Sequence, residues 1–219
     1  MDIAIAHPWD YTLPFDETLK TIADAGFRII SIGADREHSR YHTLDGKKNL
    51  LELTSTFGLS IHNIHAPIEH EPHISSPDEE IRKAGVAGII EAISTCIHFN
   101  CDAIVIHLSH APPASEFQDR LGDVRRSFAQ ILTAAEDAGV RIACENVFSK
   151  SGNDILRAIL DEFVHPLVGL CYDSSHANLV GDPLEFLRDY GDRLFVTHIS
   201  DNRGRMNARL TLDRCRTKK

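Results

Sequence analysis

The chain has 219 residues, 42% hydrophobic and 25% charged, which amounts to one domain of a soluble globular protein with a buried core. Its formal charge of −9 leaves no surplus of Lys and Arg to gather on phosphates, so nucleic acid and anionic membranes are disfavoured as partners. Five cysteines without a C-x-x-C pair, no basic region leading an apolar stretch at the N-terminus, and no apolar run near ~20 residues together predict a cytoplasmic protein with reduced thiols and no membrane span.

Strands are predicted at residues 2–7, 27–33, 59–65, 102–107, 140–145, 167–173 and 194–198. Most are near-continuous runs of Ile, Val, Leu and Ala, as parallel strands covered on both faces require. Helical patterns lie between them, and Gly26 and Gly58 are read as the stops of the first two. Ser76-Pro77-Asp78-Glu79 reads as an N-cap, a first-turn proline and a capping-box glutamate. Ile81, Gly85, Gly88, Ala92, Ile93 and Cys96 then recur at helical spacing, with the two glycines read as points of close packing on the sheet. Phe117, Leu121, Val124, Phe128, Ile131, Leu132 and Ala135 form the apolar face of the next helix, which ends at Gly139.

This alternation predicts a parallel α/β fold. No G-x-G-x-x-G or Walker-type loop marks a nucleotide site. Strand after strand ends instead in a polar residue: His7, His65, His107, Glu145, Asp173 and His198. In a (β/α)8 TIM barrel such ends converge on one mouth, so the barrel is the predicted fold class. Seven β/α units are present in the pattern, and an eighth strand and helix are missing from it. The expected organisation is a barrel over residues 1–201 followed by an irregular tail, 202–219, with seven basic residues. The chain is therefore read as shortened at its C-terminus. Its open sheet would leave two unpaired edges, which favours a homodimer or cover from the tail.

Three clusters carry the chemistry: Glu145-Asn146, Asp173-x-x-His176 and His198-x-x-Asp201. Carboxylates and imidazoles from consecutive strand ends suit one divalent cation, Zn, Mn, Co, Fe or Mg. Glu145 ends a buried run, where a carboxylate needs a cation or hydrogen-bond donors to offset desolvation. His65 and His107 face the same mouth, and they either bind a second metal, hydrogen-bond a substrate hydroxyl or phosphate, or are purely structural. His7, His62, His98 and His165 are read as caps or loop residues.

His65-Ala-Pro67, Glu145-Asn146, Asp173-Ser-Ser-His176 and His198-Ile-Ser-Asp201, in this order, resemble the xylose isomerase-like TIM barrels. That family contains the sugar phosphate isomerases and epimerases and, more distantly, endonuclease IV. The resemblance implies metal ligands at Glu145, Asp173 and His198, with a fourth, a glutamate, on an eighth strand. It implies catalytic roles for Glu145 and His176 and substrate contacts at His65, His107, Asn146, His176 and Asp201. The implied reaction is isomerisation or epimerisation of a sugar or sugar phosphate through an enediolate, with Glu145 as one of two proton-transferring carboxylates. Asn207-Ala208-Arg209 departs from the acidic-x-histidine pattern of the family, and the expected Gly-Glu-Gly turn is absent. Impaired activity is therefore expected of this chain. The alternatives are an abasic-site nuclease like endonuclease IV and a non-catalytic barrel.

Overall fold

In the computed structural model, residues 3–7, 12–68, 73–109, 111–200 and 202 are described. Each apolar run forms a strand: β1 (Ala4–Ala6), β2 (Ile29–Ile32), β3 (Ser60–His65), β4 (Ala103–Ile106), β5 (Arg141–Glu145), β6 (Val168–Asp173) and β7 (Leu194–His198). They lie in one sheet in chain order, and every neighbouring pair is parallel. The sheet curls enough to bring β4 and β5 close to β7 across its interior. The result is a half-barrel of seven strands, the predicted class; among the described residues there is no eighth strand.

The central strands β4 to β6 are largely apolar on both faces because each face has its own core. Ile104 and Ile106 point outward into the layer filled by helices, together with Ile142 and Leu170. Ala103, Val105, Ala143, Cys171 and Val196 point inward and fill the barrel with small side chains. The helices are α1 (Phe15–Asp24), α2 (Arg36–Ser39), α3 (Leu44–Phe57), α4 (Glu79–Phe99), α5 (Phe117–Ala138), α6 (Lys150–Glu162), α7 (Ser174–Val180) and α8 (Glu185–Tyr190). No helix among the described residues is long and apolar enough to cross a membrane.

Helix ends follow the sequence signals with two corrections. Gly58 and Gly139 close α3 and α5 at φ +63° and +66°, the left-handed conformation that glycine adopts without strain. The N-cap of α4 is Asp78 rather than Ser76: its carboxylate accepts from the amides of Glu80 and Ile81 at 2.9 and 3.1 Å. Ser76 Oγ instead accepts from the amide of Asp78 at 3.2 Å, one step upstream. Of the two helix glycines, only Gly85 is a point of close packing. A Cβ there would sit 3.0 Å from the carbonyl carbon of His73, whereas at Gly88 it would meet nothing within 4 Å.

Candidate metal centre

The parallel register sets the polar strand ends at one level. Asp173 pairs with His198 across β6 and β7, and Glu145 pairs with Cys171 across β5 and β6. Side chains alternate along a strand, so Cys171 and Asp173 share the inward face of β6. Glu145 therefore projects into a ring of donors, with its side chain only 2% exposed.

Its two oxygens face different partners. Oε2 lies 3.1 Å from His65 Nε2 and 3.2 Å from His107 Nε2. Oε1 lies 3.1 Å from His198 Nδ1 and 3.5 Å from His176 Nδ1. Burial alone would raise the Glu145 carboxyl, but His107 and His198 hold it well below its usual value, so it carries the negative charge. Burial lowers the pKa of His107 despite the attraction of Glu145. Asp173 is raised, first by burial and also by the nearby charge of Glu145, against the pull of His176.

Asp173 divides its oxygens as well. Oδ1 accepts the His176 amide at 2.8 Å and caps α7, while Oδ2 stands 3.9 Å from both His176 Nδ1 and His198 Nδ1. His176 thus sits in the first turn of α7. Beside it, the serine after Asp173 and an asparagine beyond β7 tie the two segments together. Ser174 Oγ donates to the Ser200 carbonyl at 2.7 Å, and Asn202 donates to the Ser175 carbonyl at 2.8 Å.

The residues fit a divalent cation on their own chemistry. Donor atoms of Glu145, Asp173 and His176, of Glu145, Cys171 and His198, and of His65, His107 and Glu145 each gather within 4.8 Å. His65 gives a sharper test. Its Nδ1 lies 2.8 Å from the Ala66 carbonyl, which can only accept, so the ring proton belongs there. Nε2 then turns its lone pair toward the Glu145 carboxylate at 3.1 Å. Two acceptors at that distance call for a cation, metal or proton, beside them. A carbonyl holding the far nitrogen of a ligating histidine is the usual arrangement at metal sites.

Of the residues expected in the site, Glu145, Asp173, His176, His198, His65 and His107 come together, and Asn146 lies beneath them. Asn146 is fully buried, and its amide is taken up by the backbone of Asp173. Asp201 lies outside the described residues. Cys171 was not anticipated; its thiol is 3.8 Å from His198 Nδ1. The one available signal was its place two residues before Asp173 on the same strand face.

The family model described as xylose isomerase-like TIM barrel matches residues 19–217. An uncharacterized protein of Methanocaldococcus jannaschii is 26% identical over 197 residues, covering 85% of this chain and 66% of the relative. A probable endonuclease 4 of Carboxydothermus hydrogenoformans is 26% identical over 180 residues, covering 74% of this chain and 62% of its own length. The chain thus spans under two thirds of the length of these relatives. Among solved structures, a D-tagatose 3-epimerase-like protein superposes with a TM-score of 0.79 at 24% identity, over 93% of this chain and 78% of the other.

Proposed function

The chain belongs to the xylose isomerase-like TIM barrel family, and from that premise we propose that it is a divalent-metal-dependent isomerase or epimerase of a sugar or sugar phosphate. The observation that carries the reading is Glu145, a buried, ionised carboxylate among four histidines from separate elements, with Asp173 beside it. Glu145, Asp173 and His198 are the proposed ligands of one cation. When bound, that cation supplies Lewis-acid polarisation of adjacent substrate oxygens and offsets the charge that develops on deprotonation.

The remaining roles belong to the chain. Glu145, being ionised, would remove the proton from the hydroxyl-bearing carbon alpha to the substrate carbonyl. His176, fixed by Asn146 through a 2.9 Å contact from Nδ1 to its carbonyl, orients a substrate hydroxyl. His65, His107 and Asp201 complete the substrate contacts in this reading. A cytoplasmic setting belongs to it too, supported by the buried free thiols of Cys96, Cys101, Cys144 and Cys171.

A second reading has one observation in its favour: Oε2 of Glu145 faces His65 and His107 while Oε1 faces His198 and His176. Donors on both sides of one carboxylate would suit more than one cation, as the alternative of a nuclease of the endonuclease IV kind requires.

Calorimetric titration of metal-stripped protein with Mn²⁺, Co²⁺ and Zn²⁺ tests both. One cation per chain, its affinity reduced roughly 100-fold or more by Glu145→Gln, supports the first reading, since a buried site loses a charged ligand. Two per chain, with cleavage of an abasic-site duplex, supports the second. Binding unaffected by Glu145→Gln would overturn both. A ketose epimerisation assay of the 219-residue polypeptide then decides whether these residues suffice for turnover.

A further inference from the structure

A cavity of about 540 Å³ lies between α4 and the end of β3, and it reaches the candidate metal centre through His107. His107 lines the cavity and stands 3.2 Å from Glu145. The volume falls within the ~300–1,000 Å³ typical of small-molecule sites. One wall is α4, where Ala84, Ala87 and Gly88 face the space at helical spacing, and Ile68 and Ile74 add aliphatic surface opposite. Among the described lining residues, Arg36 is the single cation side chain and Glu91 the single carboxylate.

The space is held open by the fold. A side chain at Gly88 would meet nothing within 4 Å, although glycine weakens a helix interior. The facing segment is tied in place. Ser127 Oγ donates to the Ile74 carbonyl at 2.8 Å, and Arg120 donates to the Ser75 carbonyl at 2.9 Å. Gly85 lets α4 close against the same backbone.

We infer that this cavity is the subsite for the end of the substrate remote from the reacting oxygens. It takes a neutral, apolar substituent, such as an alkyl or aryl ether or a deoxy terminus, and not a phosphate. The inference rests on the sugar reading above and narrows its substrate class. A phosphate dianion is held by several converging donors, whereas among the described lining residues one guanidinium stands beside a carboxylate, His107 Nε2 is turned to Glu145 and His73 Nδ1 to Ser75. Aliphatic walls and a missing side chain instead favour apolar surface leaving water.

The test uses the Mg²⁺-loaded full chain and three ketoses: D-fructose, 6-O-benzyl-D-fructose and D-fructose 6-phosphate. Calorimetry should find the benzyl ether at least tenfold tighter than D-fructose, and the phosphate ester no tighter. Gly88→Leu should remove the benzyl advantage and leave D-fructose within twofold. Ala84→Leu, from the same wall, serves as the second variant, and thermal melts check that both fold. In parallel, saturation-transfer NMR with benzyl alcohol should detect binding to the native chain that Gly88→Leu abolishes. A tighter phosphate ester, a benzyl effect untouched by both variants, or no benzyl alcohol binding overturns the subsite. Failure of every ketose to bind, with benzyl alcohol still bound beside Gly88, counts against the sugar reading instead and leaves an apolar cavity without a sugar to serve.

Discussion

Asn146 is fully buried, and both ends of its amide engage one neighbouring residue. Its Nδ2 donates to the Asp173 carbonyl at 3.0 Å, and its Oδ1 accepts the Asp173 amide at 2.7 Å. A side chain on β5 thereby fixes the end of β6 and, with it, the carboxylate aimed at the centre. The Glu145-Asn146 pair is thus one device: the first residue supplies charge, the second sets where its partner carboxylate stands. Replacing Asn146 with Ala leaves the buried Asp173 amide without its partner, while the Asp173 carbonyl keeps the first helical bond of α7. Such a loss costs about 1–3 kcal/mol, and Asn146→Ala should lower unfolding stability by about that much. It should also weaken metal binding, because Asp173 is no longer held in place. Urea unfolding of the metal-free chain isolates the first effect, and calorimetry with Zn²⁺ measures the second. Unchanged metal affinity would mean that Asp173 is not a ligand.

At the scale of elements, a histidine pair joins the ends of β1 and β2 to the segment before α1. The Gly33 amide donates to His7 Nδ1 at 2.9 Å, so the His7 proton sits on Nε2, which faces His38 Nδ1 at 3.3 Å. His38 Nε2 then donates to the Leu13 carbonyl at 2.9 Å. Every ring nitrogen in this chain of bonds has its role fixed, and an added proton breaks a link. Burial, with the neighbouring His38, pushes the pKa of His7 from 6.5 down to about 4. Between those values the unfolded chain binds a proton that the folded chain refuses. This stability is therefore intact above pH 6.5, falls as pH drops toward 4, and amounts to about 3 kcal/mol across the window. Urea melts of the native chain and His7→Asn at pH 7 and pH 4.5 should differ in slope by close to one proton; equal slopes would show His7 titrating normally. Little of this was legible in the sequence, where His7 is one more strand-end histidine, because its partners lie 26 and 31 residues away. The strands themselves were legible throughout. A parallel strand buried on both faces is a near-continuous apolar run, as in β4 (AIVI), and all seven strands form within the predicted segments, although β3 (SIHNIH) and β7 (LFVTH) carry polar residues. The capping of α4 was ambiguous for the opposite reason: Ser76 and Asp78 both have capping chemistry, and only the path of the loop selects Asp78. Likewise, Gly85 and Gly88 are equivalent in helical spacing, and only the backbone of His73 and Ile74 distinguishes them.

For the whole molecule, the order of pairing decides which surfaces remain reactive. Among the described residues, β1 pairs with β2 alone and β7 with β6 alone. Both rims carry apolar side chains in contact with water: Ile3 is 65% exposed and Leu194 37%. Parallel sheets normally keep their strands covered, and a row of unpaired amides and carbonyls templates the addition of another strand. The interior offers little compensation, since its inward core consists of five small or medium residues. Association through an edge, β7 with β7 of a second copy or β1 with β1, buries those rims without disturbing the cluster around Glu145. We therefore expect the 219-residue chain to associate with rising concentration. The longer β7, five residues against three in β1, is the better template. Thr197 is exposed on β7, and Thr197→Lys places a charge on that edge, which should shift the equilibrium toward monomer by about tenfold or more in dissociation constant. Sedimentation velocity over a hundredfold range of concentration measures this directly. A native chain that stays monomeric throughout, with β7 amides protected from hydrogen exchange, would mean that the edge is already covered within one molecule. The pairing partner of β7 would then have to be sought in the same chain.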